Sequence, residues 1–245
     1  MSLSFSPFSF LVINLARFIR PDEITFSGVN SSVAMLACLL AKKSYAFDFT
    51  YINVAGGVDP SPSFVPLSSS DPVLAEGSRA IFANEDFYDL CARGALDLCF
   101  LGAAQVDGQG NTNVSCIGDW HAPKVRLPGG GGAAVMLPTA RRSVTWRTEH
   151  SPRTLVDKLD FTTASGGVSG LVTPAAVFEK RRGRLALKYR HPAKSIEQII
   201  AMTGFAFDYA AAEPAPLPTR AERQALRELD ADGRFAADLN LHIDK

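Results

Sequence analysis

LGAAQVDGQGNTNVSCIGDWHAPKVRLPGGGGAAVMLPTARR, residues Leu101–Arg142, decides how the rest of the chain is read. The apolar run Ala95–Ala104 leading into it has the composition of a buried strand that ends in small residues. Asp107, Gly108, Gly110, Asn111 and Asn113 then make a polar, turn-rich segment. Pro128 is followed by four glycines, Gly129 to Gly132, and by a helix expected over Ala133–Arg142. Pro138 lies inside that segment, so the helix must be short or kinked. Residues without Cβ atoms take positive φ freely, so successive backbone N–H groups can converge on one point. A helix starting directly behind would add its free N–H groups to that field. Such a loop suits a thioester oxyanion, a carboxylate or a phosphate. It is no P-loop, because no Lys-Ser/Thr follows the last glycine, and the dinucleotide-binding spacing is missing too. Taken alone, the four glycines are better read as a flexible turn; the neighbouring segments change that balance.

Working outward, Ser9–Arg20 carries apolar residues at helical spacing and stops before Pro21. Ile24–Ser27 is a short strand that runs through Gly28-Val29-Asn30 into a helix from Ser32 to Lys42. Ser31 or Ser32 is its N-cap. Phe47–Val54, rich in aromatic and β-branched residues, is the next strand and ends at Ala55-Gly56-Gly57. The Ser/Pro-rich stretch Ser61–Pro72 is a loop, placed to cover a site. Ala80–Ala92 is a helix and Leu96–Ala103 the third strand. Beyond the glycines, Ser143–Thr148 is a strand and Thr154–Leu159 begins another element. Gly170–Phe178 and Leu185–Tyr189 flank the basic tip Lys180–Arg184. Ser195–Thr203 is a helix closed by Gly204, and Arg220–Leu229 a charged terminal helix after the Pro/Ala linker Ala210–Thr219. Strands alternating with helices define an α/β protein with an open, mostly parallel sheet. Sites in such sheets lie beyond the carboxyl ends of the strands. Gly28, Gly56-Gly57 and Gly129–Gly132 are therefore all candidates for one crevice.

The 245 residues are read as a single domain, 1–245, with a C-terminal tail of about 211–245. Lys+Arg and Asp+Glu are both 25, so the net charge is zero and nothing points to nucleic acid or an anionic membrane. Neutral charge and apolar composition fit a subunit that buries surface against another chain. Cys38, Cys91, Cys99 and Cys116 lack CxxC or Cys/His spacing and read as reduced thiols of a cytoplasmic protein. No His/Asp/Glu cluster has metal spacing, so no metal is expected. Phe10–Ala16 and Val33–Ala41 are too short to span a bilayer, and the basic region of a signal peptide is missing.

Ile24–Lys42 into Phe47–Pro60, then GAAQVDGQGNTNVS, PGGGGAA and HPAKSIEQIIAMTGF, resemble in this order the B subunit of class I coenzyme A transferases, most closely the glutaconate type. The likeness covers roughly residues 10–230. It implies the open sheet of that family, a separately encoded A subunit, a site between the two subunits, and an acyl-CoA substrate. Coenzyme A then enters as part of the substrate, with no bound cofactor. The family's catalytic glutamate follows the second strand, where it attacks the thioester and carries the acyl group and then CoA. Alignment on Ala55-Gly56 puts Val54 at that position, and a one-residue slip puts Asn53 there. Neither forms an acyl anhydride, so no residue of this chain is assigned a catalytic role. A branch of the family resembles this pattern: heteromeric hydrolases of steroid catabolism that open a ring of a CoA-linked cyclic diketone without a covalent glutamate. That is the leading expectation for function. Alternatives are a transferase moving CoA to a carboxylate such as glutaconate or a 3-oxoacid, with its acceptor carboxylate elsewhere, and a non-catalytic scaffold for the A subunit.

The substrate- and CoA-binding residues expected from the resemblance are Asn53, Val54, Ala55, Gly56, Gln105, Asn111 and Gly129, Gly130, Gly131 and Gly132. Gln105, Asp107, Asn111 and Asn113 have two equal readings, as crevice residues or as a turn network satisfying its own backbone. Trp120, His121 and His191 read as turn or interface residues, Arg141 and Arg142 as cations at a helix C-terminus, and Asn30, Ser31 and Ser32 as caps. Specificity is expected in the Ser61–Ser70 loop and in the partner.

Overall fold

A computed structural model describes residues 5–241; the outermost residues of the single-domain reading lie outside them. The chain opens with α1 (Pro7–Ala16), β1 (Ile24–Ser27), α2 (Ser32–Ser44) and β2 (Thr50–Asn53). Two short strands, β3 (Gly57–Val58) and β4 (Ala80–Ile81), precede α3 (Asn84–Ala92) and β5 (Leu98–Gly102). Two small hairpins follow, β6 (Gln105–Val106) with β7 (Thr112–Asn113) and β8 (Cys116–Gly118) with β9 (Pro123–Arg126). The second half runs α4 (Ala133–Thr139), β10 (Arg142–Trp146), β11 (Val168–Val172), β12 (Ala176–Arg181), β13 (Arg184–Arg190) and α5 (Ile196–Ala201). β14 (Glu213–Pro214), α6 (Arg220–Leu229) and α7 (Arg234–Asp238) complete it.

Ten strands form one sheet in the order β14-β13-β12-β11-β10-β5-β1-β2-β3-β4. The centre, β11-β10-β5-β1-β2, is parallel throughout, and the flanks turn back antiparallel at β12, β13, β3 and β4. Side chains on β5 alternate: Leu98 and Phe100 join the core under α1, α2 and α6, whereas Cys99 and Leu101 join the core under α3, α4 and α5. Helix α2 is buried from Val33 to Ala41 because α1 and α6 pack against its outer side. All four cysteines are buried and unpaired by disulfides. Among the described residues, no helix is long and apolar enough to cross a membrane.

Several boundaries differ from the sequence reading for local reasons. Helix α1 begins at Pro7 because Ser6 and Ser9 form a capping box, and it ends at Ala16, short of Arg20. The strand expected over Phe47–Val54 starts only at Thr50, because Asp48 turns the chain by accepting the Phe49 N–H at 2.9 Å. Ala80 and Ile81 leave the expected third helix and pair with β3 as an edge strand. Gly170–Phe178 is two strands, broken where the Thr173 hydroxyl takes the N–H groups of Ala175 and Ala176 around Pro174. Thr154–Leu159 forms neither helix nor strand and is pinned to β6 through Val106. Arg142 does not end a helix; it opens β10, and its guanidinium pairs with Glu23 at 2.6 Å.

The segment after the Pro/Ala stretch packs into the first core, where Phe235 is fully buried. Glu222 of α6 accepts from Arg17 Nε at 2.9 Å. Burial pushes the Glu222 carboxyl up, but Arg17 outweighs this and holds it below the usual glutamate value.

His150 sits in the second core between two threonines, Nδ1 at 2.7 Å from Thr173 Oγ1 and Nε2 at 3.0 Å from Thr203 Oγ1. Burial, with Lys194 nearby, pulls its pKa from 6.5 to about 4. Above pH 6.5 both folded and unfolded chains carry it neutral. Between 6.5 and 4 only the unfolded chain takes the proton, so stability falls as pH drops. Denaturant unfolding at pH 7 and pH 5 should show a difference reduced by about 2 kcal/mol in His150→Gln relative to wild type. An unchanged difference would remove His150 from the pH dependence.

Candidate active site at the carboxyl edge of the parallel sheet

The parallel register aligns the strand ends. Ser27 lies opposite Phe100 and Asn53, and Trp146 lies opposite Gly102. The chain therefore leaves β1 at Gly28, β2 at Val54, β5 at Ala103 and β10 at Arg147 along one edge. A cavity of about 560 Å³ opens there. Phe26, Phe82, Phe87, Phe100, Leu127 and Met136 give it an apolar wall. Gly28, Val54 and all four glycines of Gly129–Gly132 line it, with Asn30, Asn84, Tyr88, Trp146 and Arg147 as polar groups. Among these described lining residues there is no carboxylate, imidazole, thiol or amine.

The position of Val54 follows from its neighbour. Asn53 is fully buried, donates from Nδ2 to the Leu74 carbonyl at 2.9 Å, and accepts from the Ala55 N–H at 3.0 Å. Its side chain is consumed in the turn, whereas Val54 lines the cavity. Gly56, at φ 92°, donates to Asn53 O, and a Cβ there would lie 2.9 Å from the Phe82 carbonyl. Ala55, Gly56 and Gly57 thus build the turn under the site without lining the cavity. Of the three glycine turns expected in one crevice, two reach it, at Gly28 and Gly129–Gly132.

The glycine loop is tied down at one end, where Gly129 N–H donates to Val114 O at 2.8 Å. Among the described residues, the N–H groups of Gly130, Gly131 and Gly132 have no acceptor. Gly131 takes φ 48° with open space where a Cβ would sit. At Gly132 a Cβ would meet Met136 Cε at 2.8 Å and the Tyr88 hydroxyl at 2.9 Å. Helix α4 behind the loop has only seven residues and contains Pro138, so the loop amides, not a helix dipole, are the donors that count.

Gln105 and Asn111 do not reach the cavity. Gln105 bonds Asn113 at 2.8 Å and Asp160 at 3.1 Å, and Asn111 donates to Asp107 at 2.8 Å. Their polarity is spent within the β6–β7 hairpin and on Asp160 beside it, which is the turn-network reading. The Ser61–Ser70 loop touches the site indirectly. Ser69 accepts from the Ser31 N–H and donates to the Gly28 carbonyl, both at 2.9 Å, and so holds the β1–α2 turn. Asp119 accepts the His121 N–H, and Trp120 stacks on Phe161 at a hairpin tip away from the cavity. His191 accepts from Ala193 N–H in its own turn.

Tyr88, Trp146 and Arg147 are cavity residues that the sequence reading missed. Trp146 packs its ring over Gly102, and its Nε1 is buried without an acceptor, as is Arg147 Nε. Burial lowers the Arg147 pKa from its ordinary value, partly offset by Glu149. The one usable signal was positional: an arginine immediately after a central parallel strand.

An open parallel sheet whose strand ends, glycine loop and apolar wall enclose one crevice defines the class: an α/β protein with a candidate binding site where the strand order reverses, between β1 and β5. The coenzyme A transferase family model matches residues 12–201, and the chain belongs to that family. It is 32% identical to the B subunit of the 3-oxoadipate CoA-transferase of Pseudomonas knackmussii, over 93% of this chain and 94% of that one. It is 28% identical to the B subunit of the glutaconate CoA-transferase of Acidaminococcus fermentans, over 88% and 89%. The crystal structure of the decarboxylase AibA/AibB superposes with a TM-score of 0.89 at 33% identity, over 95% of this chain and 98% of that chain.

Proposed function

We propose that this chain is the B subunit of a two-subunit acyl-CoA enzyme that cleaves a carbon–carbon bond of the acyl group without a covalent intermediate on this chain. Its preferred reaction is hydrolytic opening of a ring in a CoA-linked cyclic diketone, the steroid-degradation chemistry implied by the resemblance. The observation that carries the reading is Val54, which faces the cavity at the family's glutamate position while Asn53 is locked in the turn. With no base or nucleophile among the described lining residues, the base comes from the A subunit, across the open side of the cavity. That base takes a proton from water as it adds to the ring carbonyl. The oxyanion is held by the free N–H groups of the glycine loop. Its collapse breaks the ring bond, and the carbanion formed is protonated.

Decarboxylation is a second reading, favoured by the 33% identity to a decarboxylase over almost the whole chain. Turnover of the co-purified heteromer in H₂¹⁸O separates the two. Ring hydrolysis places ¹⁸O in a new carboxylate with the thioester intact, whereas decarboxylation releases CO₂ and leaves no such label. Transfer of CoA to added acetate or glutaconate, without bond cleavage, would overturn both.

A further inference from the structure

Tyr88 stands on α3 and meets the glycine loop with the hydroxyl end of its ring. A Cβ built on Gly132 would lie 2.9 Å from Tyr88 Oη and 3.5 Å from its Cε1. Gly132 has an ordinary φ of −73°, so glycine is needed there for space, and this hydroxyl takes part of that space with Met136 Cε. The ring is set by Phe87, which it meets edge-on with centroids 5.5 Å apart, and Phe87 in turn stacks on Phe26 of β1 at 4.0 Å. Tyr88 and Gly132 both line the cavity. Two of its lining side chains carry a hydroxyl, Ser31 and Tyr88. Ser31 is buried and donates its own to the Val29 carbonyl at 3.2 Å. Tyr88 Oη has no hydrogen-bond partner among the described residues. The N–H groups of Gly130, Gly131 and Gly132 beside it are likewise without an acceptor. Backbone amides and a phenol, from separate elements, thus leave their donors unspent at one end of an otherwise apolar cavity. A phenolic O–H is a strong donor to an anionic oxygen, and unspent donors gathered in one pocket are the arrangement that stabilises a developing negative charge.

We propose that Tyr88 donates a hydrogen bond from its hydroxyl to the oxyanion held at the glycine loop, as the side-chain member of a donor set otherwise made of backbone amides. This rests on the acyl-CoA reading above and adds to it a catalytic residue of this chain. In the ring-opening reading the anion is first the alkoxide formed when water adds, then the enolate left when the ring bond breaks. In the decarboxylation reading it is the enolate left by CO₂. The hydrogen stays on Tyr88 throughout, so no bond to it breaks.

Acetoacetyl-CoA tests this without turnover, because it is a CoA-linked 1,3-dicarbonyl whose enolate absorbs in the near ultraviolet far more strongly than its neutral form. Bound to the intact heteromer, it should ionise at a pH about one unit or more below that of the free thioester, since donors to the charged form favour it. Tyr88→Phe keeps the ring and loses only the hydroxyl. It should raise that pH by about one unit, a tenfold loss of enolate, and leave the melting temperature and the binding of butanoyl-CoA unchanged. Gly131→Val should raise it as well. A Tyr88→Phe heteromer that ionises the probe like wild type would overturn the proposal; if Gly131→Val still raises the pH, the glycine loop stands as the oxyanion site without the tyrosine. Equal weakening of acetoacetyl-CoA and butanoyl-CoA by Tyr88→Phe, with no change in the ionisation pH, would overturn it too and reduce the tyrosine to packing. A wild-type heteromer whose bound probe ionises no more easily than the free thioester would overturn both the tyrosine and the loop as oxyanion donors. Failure of wild type to bind either thioester would remove the acyl-CoA reading, and the proposal with it.

Discussion

Gly131→Val lowers kcat of the assembled enzyme by roughly 10²–10³-fold, the loss typical when a preorganised oxyanion donor is displaced. Gly131 sits at φ 48° with nothing within 4 Å of a built Cβ, so the substitution meets no steric wall. It acts through the backbone instead. A β-branched residue is strained at that φ, and the loop relieves the strain by rotating the peptide groups that line the cavity. The loop is anchored through Gly129 to Val114 and followed by α4, so re-aiming is local and the core is untouched. Gly94 supplies the control: its φ is 65°, a Cβ there also has open space, and it does not line the cavity. Gly94→Val carries the same backbone strain and should cost stability without a comparable loss of kcat. Single-turnover rates with saturating substrate give the comparison. If Gly131→Val turns over like Gly94→Val, the four glycines are only a turn.

The sequence exposes those parts of the fold that depend on local chemistry. Ile24–Ser27 followed by a helix from Ser32 is where it was expected, because strand composition, a turn and helix periodicity agree over a few residues, although Ser31 at the N-cap position makes no cap bond and donates its hydroxyl to the Val29 carbonyl instead. The hairpin tip at Arg182-Gly183 is equally local. Edge strands such as Ala80–Ile81 are invisible for the opposite reason: two residues have no periodicity, and only pairing with Val58 and Gly57 makes them a strand. Phe47 and Phe49 look like strand residues but serve as packing against the first core. The site divides the same way. Val54 and the glycine loop are legible as motifs in chain order. Tyr88 and Arg147 are not: Tyr88 approaches Gly132 from α3, and Arg147 reaches the same cavity only through the strand register that brings Trp146 opposite Gly102. An arginine after a strand is ordinarily solvated, and only the three-dimensional arrangement shows that this one lacks an acceptor. Gln105 and Asn111, read equally as crevice residues or as a turn network, show the converse. Polar side chains after a buried strand look functional until the hairpin that absorbs their hydrogen bonds is seen.

Val54→Glu restores the family's glutamate in name and should still give no CoA adduct on this chain. A class I transferase passes through a glutamyl-CoA thioester, which adds the mass of CoA to the glutamate-bearing chain and is removed by hydroxylamine. Val54 packs against the second core and lines an apolar wall with Phe26, Phe82 and Phe87, without a neighbouring carboxylate. A carboxyl introduced there is desolvated, its pKa rises, and the neutral acid is a poor nucleophile. If Arg147 draws it into the charged form instead, an ionised group stands in the apolar wall against which an acyl group would pack. Either outcome lowers native turnover, by about tenfold or more, because a polar group replaces an apolar one in that wall. Wild type and Val54→Glu heteromers, each incubated with acyl-CoA and acid-quenched, should both give the unmodified mass of this chain. A CoA-sized increase on the wild-type chain would return the enzyme to the transferases with an unexpected nucleophile. The same increase on Val54→Glu alone would show that the cavity kept the transferase geometry and lost only the glutamate.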